Sequence, residues 1–248
     1  MRIEPNLYLV GSGQLGFDLT DPYDCNIYLF DAGDTCLLFD SGAGVDADPI
    51  LDVCRQDGLD LSKINHLFLT HAHTDHGGGA ALLHDRLDLT VYASASTAKV
   101  VTTGDEAAVS LDVARAGGFY PADYVYRACP VDHILEDGSV TEIGPLKIEL
   151  IFTPGHSHDH HCFLVTDLRS DKRYLIGGDA IFYGGKVVWQ NTYDCDVPQT
   201  NASIQRLSGY DFEALLPGHL NFSLKNGKRH VETACAIIET LFCPPSFI

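Results

Sequence analysis

Short apolar runs separated by glycine and aspartate fill the first 40 residues. The runs cover 7–10, 26–30 and 36–39, and Gly11, Gly33 and Asp34 lie between them. Runs of this length between turn residues are typical of β-strands joined by tight connections. The pattern therefore predicts three strands in the first 40 residues.

Beyond residue 40 the hydrophobic period changes repeatedly between strand-like and helix-like spacing. Strands are predicted at 66–70, 90–93, 146–152, 162–166, 173–176, 186–189 and 214–216. Helices are predicted at 48–58, 79–84, 96–101, 105–116, 200–208 and 228–241. This mixture predicts a layered α/β or α+β architecture. Because no linker, repeat or low-complexity segment interrupts it, we expect one domain over 1–248.

The charge balance narrows the classes of partner. The chain has 34 acidic and 16 basic residues, a formal net charge of −18. Such a surface repels nucleic acid and anionic membranes, and the one tight basic run (Lys225, Lys228, Arg229) is too small for a duplex-binding face. We expect a small-molecule substrate, with no nucleic-acid or membrane partner. A homodimer is compatible with the sequence.

The cysteine pattern and the apolar segments predict the cellular compartment of the protein. The eight cysteines form no C-x-x-C pair, and a chain of 248 residues needs no disulfides to fold. Residues 1–5 do not resemble the start of a signal peptide, and no window approaches the roughly 20 apolar residues that span a bilayer. We expect a cytoplasmic protein with reduced thiols.

A dense group of metal-ligand side chains follows the predicted strand 66–70. His71, His73, Asp75 and His76 lie within six positions. In an extended segment His71 and His73 point the same way, so both imidazoles can bind one metal. Asp75 and His76 follow where the chain should enter a helix and can face a second metal. A buried polar cluster of this kind is costly unless it is paired or bound to metal.

Three later segments repeat one design. In each, an apolar run leads through a glycine to a metal-ligand residue, namely His156, Asp179 or His219. Ligands at strand ends are held on rigid elements, and the glycine allows a close approach of the backbone. Five histidines and two aspartates suit zinc, with manganese or iron as alternatives, rather than a soft thiolate site.

The run Thr70-His71-Ala72-His73-Thr74-Asp75-His76-Gly77-Gly78 resembles the signature of the metallo-β-lactamase superfamily. The later segments 153–157, 178–179 and 216–219 match its remaining ligand motifs, and Phe39-Asp40-Ser41-Gly42 is also typical of the family. The resemblance implies a four-layer αββα sandwich with two divalent metals. It assigns His71, His73 and His156 to the first metal, Asp75, His76 and His219 to the second, and Asp179 to both.

The same resemblance implies a hydrolase. Two cations sharing a water can supply hydroxide near neutral pH, and they can polarise a carbonyl oxygen. We expect a metal-bridging hydroxide to cleave a carboxylic ester-type bond, in a lactone or an ester. Asp75, Asp179 and Tyr183 are the candidate catalytic residues, and His160 is expected to support the metal ligands from behind.

Loops should set the choice of substrate. The candidate segments are 11–24, 102–127 and 181–198. Aromatic side chains of 102–127 (Phe119, Tyr120, Tyr124 and Tyr126) could form a lid or could pack in the core. The candidate substrate-binding residues are Phe17, Tyr23, Phe182, Tyr183, Trp189 and Tyr193.

Several functions remain open within this resemblance. The motifs resemble those of hydroxyacylglutathione hydrolases, which cleave a thioester. Against this reading, we expect no room for their additional helical domain after the last predicted helix. They also resemble those of acyl-homoserine lactonases, which place tyrosine three residues after the bridging aspartate, where this chain has Phe182. A mononuclear iron sulfur dioxygenase using His71, His156 and Asp179 remains open as well, as do a small phosphodiesterase and a non-enzymatic metal-binding protein.

Overall fold

The computed structural model describes residues 1–248 and contains two β-sheets, one in each of two units of the chain. The units are Met1–Leu135 and Glu136–Ile248. The predicted mixture of strands and helices is confirmed. The expectation of one domain over 1–248 stays a prediction.

The sheet of the first unit has seven strands in sequence order. They are β1 (Arg2–Glu4), β2 (Leu7–Gly11), β3 (Ile27–Asp31), β4 (Cys36–Phe39), β5 (Ile64–Phe68), β6 (Thr90–Ser94) and β7 (His133–Leu135). Strands β1 to β4 pair in antiparallel fashion, whereas β4 to β7 pair in parallel. The change to parallel pairing coincides with the first helical connection, since parallel neighbours need a crossover.

Helices of the first unit connect its parallel strands. They are α1 (Asp48–Gln56), a 3₁₀ turn (Leu61–Lys63), α2 (Thr74–Gly77), α3 (Ala80–Arg86), α4 (Ala95–Val101) and α5 (Leu111–Ala116). Leu38, Leu67 and Val91 from three strands share one buried cluster with α1, α3 and α4. The next residue on each strand points to the opposite face, where the rings of Phe39, Phe68 and Tyr92 stack in a row. Both faces of the central strands are therefore apolar.

The second unit has a five-stranded sheet and two helices. The strands are β8 (Val140–Ile143), β9 (Leu146–Phe152), β10 (His161–Asp167), β11 (Lys172–Gly178) and β12 (Ala214–Pro217), in the order β12-β11-β10-β9-β8. The helices are α6 (Val197–Leu207) and α7 (Lys228–Glu239). All neighbouring strands are antiparallel except β11 and β12. As a result β9, β11 and β12 run in one direction and end at the same edge of this sheet.

The structure differs from two of the predicted elements. The segment 186–189 is not a strand of either sheet; Val187 makes an isolated bridge with Ser246, a partner that the local pattern does not reveal. The predicted helix 105–116 begins only at Leu111, because Ser110 adopts a left-handed φ of 53° that interrupts helical geometry. Three short strands, β1, β7 and β8, were not predicted, since three or four residues give too little periodicity.

The longest helix, α7, has 12 residues. None of the helices combines the length and the apolar character that crossing a membrane requires.

Candidate functional site

The first unit brings four of the predicted ligands together after β5. The centre of the His71 ring lies 4.8 Å from that of His73 and 4.2 Å from that of His76. Nε2 of His76 lies 3.7 Å from Oδ2 of Asp75. The three histidines are buried and Asp75 is half-buried. The short helix α2, which contains Asp75 and His76, turns these side chains back toward His71.

A buried carboxylate fixes two of these imidazoles. Oδ2 of Asp40, at the end of β4, lies 2.8 Å from Nδ1 of His76. The same carboxylate accepts hydrogen bonds from the amide and the hydroxyl of Thr70, and that hydroxyl lies 3.0 Å from Nδ1 of His71. With the Nδ1 protons donated in this way, the lone pair of each ring is on Nε2, the nitrogen that coordinates metals in carboxylate–histidine–metal arrangements. Asp40 entered the sequence prediction only as part of a motif, although its place at the end of a buried strand is the signal for this role.

Cys25 lies behind His76. Its sulfur, a carboxylate oxygen of Asp40 and a ring nitrogen of His76 lie within 4.8 Å of one another. Burial raises the pKa of the Cys25 thiol to about 12.

Glycine in the ligand motif makes room for tyrosines of the segment 102–127. A Cβ on Gly78 would lie 2.4 Å from the hydroxyl of Tyr124, and one on Gly77 would lie 2.6 Å from that of Tyr126. Both tyrosines are buried, and Tyr124 donates a hydrogen bond to the carbonyl of Ala43. Of the two possibilities for these aromatic residues, packing therefore holds for Tyr124 and Tyr126.

The second unit brings the other three ligands together. His156, Asp179 and His219 follow β9, β11 and β12, whose ends lie at one edge of the sheet. Nε2 of His156 and Nε2 of His219 each lie 3.5 Å from the same atom, Oδ2 of Asp179. All three side chains are buried. Three strand ends thus direct two imidazoles toward one carboxylate oxygen.

Gly155 determines how the chain reaches His156. Its φ of +136° is strained for any residue with a side chain, and a Cβ there would lie 2.2 Å from the amide nitrogen of Thr200 in α6. The amide of Asp196, which caps α6, donates to the carbonyl of Gly155 at 2.7 Å. Only glycine permits this contact between the ligand loop and α6.

His160 holds the backbone of a ligand. Its Nδ1 lies 3.2 Å from the carbonyl oxygen of Thr153, and its Nε2 accepts a hydrogen bond from the amide of Asp179 at 2.9 Å. Because both ring nitrogens contact the backbone, the His160 ring lies behind Asp179 and is not itself placed as a metal ligand. The predicted supporting role of His160 stays a prediction, and this geometry is compatible with it.

The two candidate substrate residues of the first unit lie in the connection between β2 and β3. Phe17 and Tyr23 are half-buried. The ring of Tyr23 lies 5.3 Å from that of Tyr120, which in turn lies 5.3 Å from Tyr124. The backbone amide of Cys25, two residues after Tyr23, donates to the carbonyl of Asp75. This row of tyrosines therefore lies beside α2, the short helix that contains Asp75.

The four candidates of the second unit have different surroundings. Phe182 is fully buried, with its ring 6.1 Å from that of His219. Tyr183 points elsewhere: its ring packs 4.5 Å from His230 and its hydroxyl accepts a hydrogen bond from Arg229.

Trp189 and Tyr193 complete this set. The indole of Trp189 donates to the carbonyl of Pro244, so this side chain fastens the segment before residue 248. Tyr193 is 65% exposed and lies 5.7 Å from the ring of His158, measured between ring centres. Their roles in substrate binding, and a catalytic role for Tyr183, stay predictions.

Comparison with known proteins identifies the family. The family model described as the metallo-beta-lactamase superfamily matches residues 20–219, a range that contains all seven candidate ligands. One similar solved structure is a variant of the metallo-β-lactamase from Cronobacter sakazakii, which is 21% identical in sequence. The superposition has a TM-score of 0.73 and covers 97% of this chain and 96% of the Cronobacter chain. This likeness confirms the predicted fold, and the family match confirms the resemblance.

Two curated proteins illustrate the range of relatives. The probable metallo-hydrolase YqgX of Bacillus subtilis is 30% identical over 164 residues, which are 66% of this chain and 69% of that protein. The thioesterase pkgB of Emericella nidulans is 26% identical over 198 residues, 78% of this chain. This chain spans only 45% of the length of the Emericella protein.

Proposed function

Because the chain belongs to the metallo-β-lactamase superfamily, we propose that it is a metal-dependent hydrolase that cleaves a carboxylic ester-type bond, in a lactone or an ester. The ligands in this proposal are His71, His73, Asp75, His76, His156, Asp179 and His219. They would hold two divalent cations, with zinc as the expected metal and manganese or iron as alternatives.

One observation carries the proposal. In the second unit, Nε2 atoms from two strand ends lie 3.5 Å from a single oxygen of Asp179, in a buried position. Bringing these polar groups together away from water is costly without a cation to bind them. Imidazole and carboxylate are the ligands that suit zinc, manganese and iron, so the chemistry of the donor set fits such metals.

The bound cations would supply an activated water near neutral pH and would polarise the carbonyl of the substrate. The protein supplies the orientation of the ligands: Asp40 holds His76 and, through Thr70, His71. Asp75, which is half-buried, would help to orient the attacking water. His160 holds the backbone of Asp179.

The aromatic surroundings of Asp75 support a neutral substrate. Burial raises the pKa of Tyr120 well above its ordinary value, and the nearby charge of Asp75 raises it further. The hydroxyl of Tyr120 is therefore un-ionised and can donate a hydrogen bond. The ring of Tyr120 packs against that of Tyr23. Such a surface suits the ring or acyl group of an uncharged ester.

Thioester hydrolysis is the second candidate. The Emericella relative is named a thioesterase, and a relative from Aspergillus fumigatus that is 25% identical over 202 residues is named an atrochrysone carboxyl ACP thioesterase. A thioester carbonyl needs the same activated water and the same polarisation as an ester. The leaving group alone distinguishes the two candidates.

The test is hydrolysis by zinc-loaded protein of matched lactone, ester and thioester series that share the same acyl groups. Acid release reports all three reactions, and free thiol reports the thioester alone. We expect lactones or esters to be preferred, and a preference for thioesters would select the second candidate. Activity on none of them would reject the proposed function.

Ligand variants test the assignment. We expect His71→Ala and Asp179→Ala to lower kcat/KM by more than about a hundredfold and to reduce bound zinc, since even partners behind metal ligands cost 10–100-fold. His158→Ala is the matched control, because His158 is exposed and lies only two residues from His156. Full activity in Asp179→Ala would contradict the assignment.

A further inference from the structure

Three aromatic rings meet at His219 in the second unit. The ring of Phe247 lies 4.6 Å from that of Phe182 in an edge-to-face arrangement and 6.3 Å from that of His219. Phe182 itself lies 6.1 Å from His219. Phe182 is fully buried, whereas Phe247 is only half-buried. Phe247 therefore presents part of an apolar surface to solvent next to a proposed metal ligand.

Backbone pairing fixes Phe247 in this position. The amide of Val187 donates to the carbonyl of Pro245 at 3.0 Å, and the amide of Phe247 donates to the carbonyl of Val187 at 3.1 Å. Trp189 adds two further bonds, from its amide to the hydroxyl of Ser246 and from its indole to the carbonyl of Pro244. Four hydrogen bonds thus hold the segment 244–247 against 187–189.

A turn over residues 182–186, just before 187–189, directs Phe182 toward His219 and Tyr183 away from it. The amide of Phe182 donates to the carbonyl of Lys186 at 2.8 Å, which closes a turn over 182–186. Tyr183, on the opposite side, packs against His230. Beside His219 the half-buried ring of Phe247 is therefore exposed to solvent, and the fully buried ring of Phe182 packs against it.

We propose that Phe247 is a specificity-determining residue: its ring, supported by the buried ring of Phe182, forms an apolar wall beside His219 that binds the acyl group of the substrate. The wall favours acyl chains or rings of several carbon atoms over an acetyl group. This inference rests on the proposed function, since it assumes that the scissile carbonyl is bound near His219. It names the substrate class: uncharged esters or lactones with an extended apolar acyl part.

The expected size of the effect follows from the apolar contact. Replacing a half-buried phenyl group by a methyl group removes about 50 Å² of apolar contact with a bound chain, which corresponds to roughly a tenfold change in affinity. An acetyl group is too short to span the wall, so its affinity and turnover should not change.

The experiment measures binding as well as turnover. Zinc-loaded protein is titrated with octanoate and with acetate, and the fluorescence of Trp189, the single tryptophan of the chain, reports binding because Trp189 is bonded to the segment that contains Phe247. Hydrolysis of p-nitrophenyl octanoate and p-nitrophenyl acetate is measured beside it. We expect octanoate to bind more tightly than acetate.

Two variants separate the wall from general effects on folding. We expect Phe247→Ala to raise the Kd for octanoate and to lower the octanoate-to-acetate ratio of kcat/KM, each by about tenfold. Phe247→Leu should keep most of both values, because it keeps an apolar side chain. Phe242→Ala is the matched control, since Phe242 lies five residues earlier and is 72% exposed.

The outcomes distinguish this inference from the proposed function. Unchanged octanoate selectivity in Phe247→Ala, or the same loss in Phe242→Ala, would overturn the inference while hydrolysis remains intact. Wild-type protein that binds octanoate through Phe247 but hydrolyses none of the lactones, esters and thioesters would reject the proposed function and keep the binding wall. Wild-type protein that does not discriminate octanoate from acetate in binding would overturn the inference whatever its activity.

Discussion

The carboxylate of Asp40 connects three segments of the first unit. It accepts two hydrogen bonds from Thr70 and one from Nδ1 of His76, and it is almost completely buried. Asp40 has a left-handed φ of 62°, a conformation that aspartate tolerates better than most residues. A single side chain thus orients one proposed ligand directly and another, His71, through the Thr70 hydroxyl.

We predict that Asp40→Asn lowers zinc content and reduces kcat/KM by about 10–100-fold, the range for partners behind metal ligands. The amide is nearly isosteric and can still accept the Thr70 amide bond, but its NH2 group cannot accept the Nδ1 proton of His76. Metal analysis and kinetics on the same preparations provide the measurement. Asp52→Asn, at an exposed carboxylate, is the control; equal zinc content and activity in Asp40→Asn and wild type would refute the prediction.

At the scale of elements, the connection between β2 and β3 is fastened by Asp24. Its carboxylate accepts hydrogen bonds from the hydroxyl of Thr20 at 2.7 Å and from the amide of Ala43 at 2.8 Å. The next residue, Cys25, donates its amide to the carbonyl of Asp75. One buried side chain therefore ties the connection that contains Tyr23 to the segment after β4.

Burial raises the pKa of Asp24 from 3.8 to about 6, although its hydrogen bonds oppose the shift. The folded protein therefore binds more protons than the unfolded chain between these values, and the free energy of unfolding falls as the pH rises from about 4 to about 6. The contribution of Asp24 is up to about 3 kcal/mol at 1.36 kcal/mol per unit. It is fully present below pH 4 and lost above pH 6.

We predict that Asp24→Asn removes the contribution of Asp24 to the pH dependence of stability. Between pH 4 and pH 7, the decrease in the free energy of unfolding should be smaller in the variant than in wild type by about 2–3 kcal/mol. Urea unfolding of the metal-free proteins at both pH values measures it. Asp18→Asn, at an exposed position of the same connection, should behave as wild type. The same pH dependence in Asp24→Asn and wild type would show that Asp24 does not titrate in this window.

For the whole molecule, net charge is the property that we expect to limit its partners. The 34 acidic residues outnumber the 16 basic ones in this chain of 248 residues. Two bound divalent cations would offset only about four of the 18 excess negative charges. A small uncharged substrate is therefore compatible with the molecule, while a polyanion must overcome repulsion.

We predict that the Kd for labelled duplex DNA and for single-stranded RNA exceeds roughly 10 μM at about 50 mM salt. The reason is that non-specific affinity arises from phosphate neutralisation by basic side chains. Fluorescence anisotropy with zinc-loaded and metal-free protein measures this, and the metal-free sample controls for the charge of the cations. Micromolar binding that weakens with added salt would contradict the prediction and would favour a phosphodiester substrate.

Local signals in the amino-acid sequence were sufficient to predict many of the elements and the residues that follow them. Apolar runs that end in glycine and a candidate metal ligand predicted β9, β11 and β12, and the apolar run before the histidine-rich motif predicted β5. Strand burial and close backbone approach both leave a pattern within a few residues of the chain. The histidine-rich motif was specific enough to indicate the family, which the comparison confirmed.

Contacts between distant residues became visible only in the folded chain. Asp40 lies 36 residues before His76, and the bonds that place Phe247 beside Phe182 come from a segment whose pairing with 187–189 no local period predicts. The packing of Tyr124 and Tyr126 against Gly78 and Gly77 was likewise invisible in the pattern. The reason is physical: hydrophobic period reports which face of an element is buried, whereas partners are chosen by strand register and by the space between side chains.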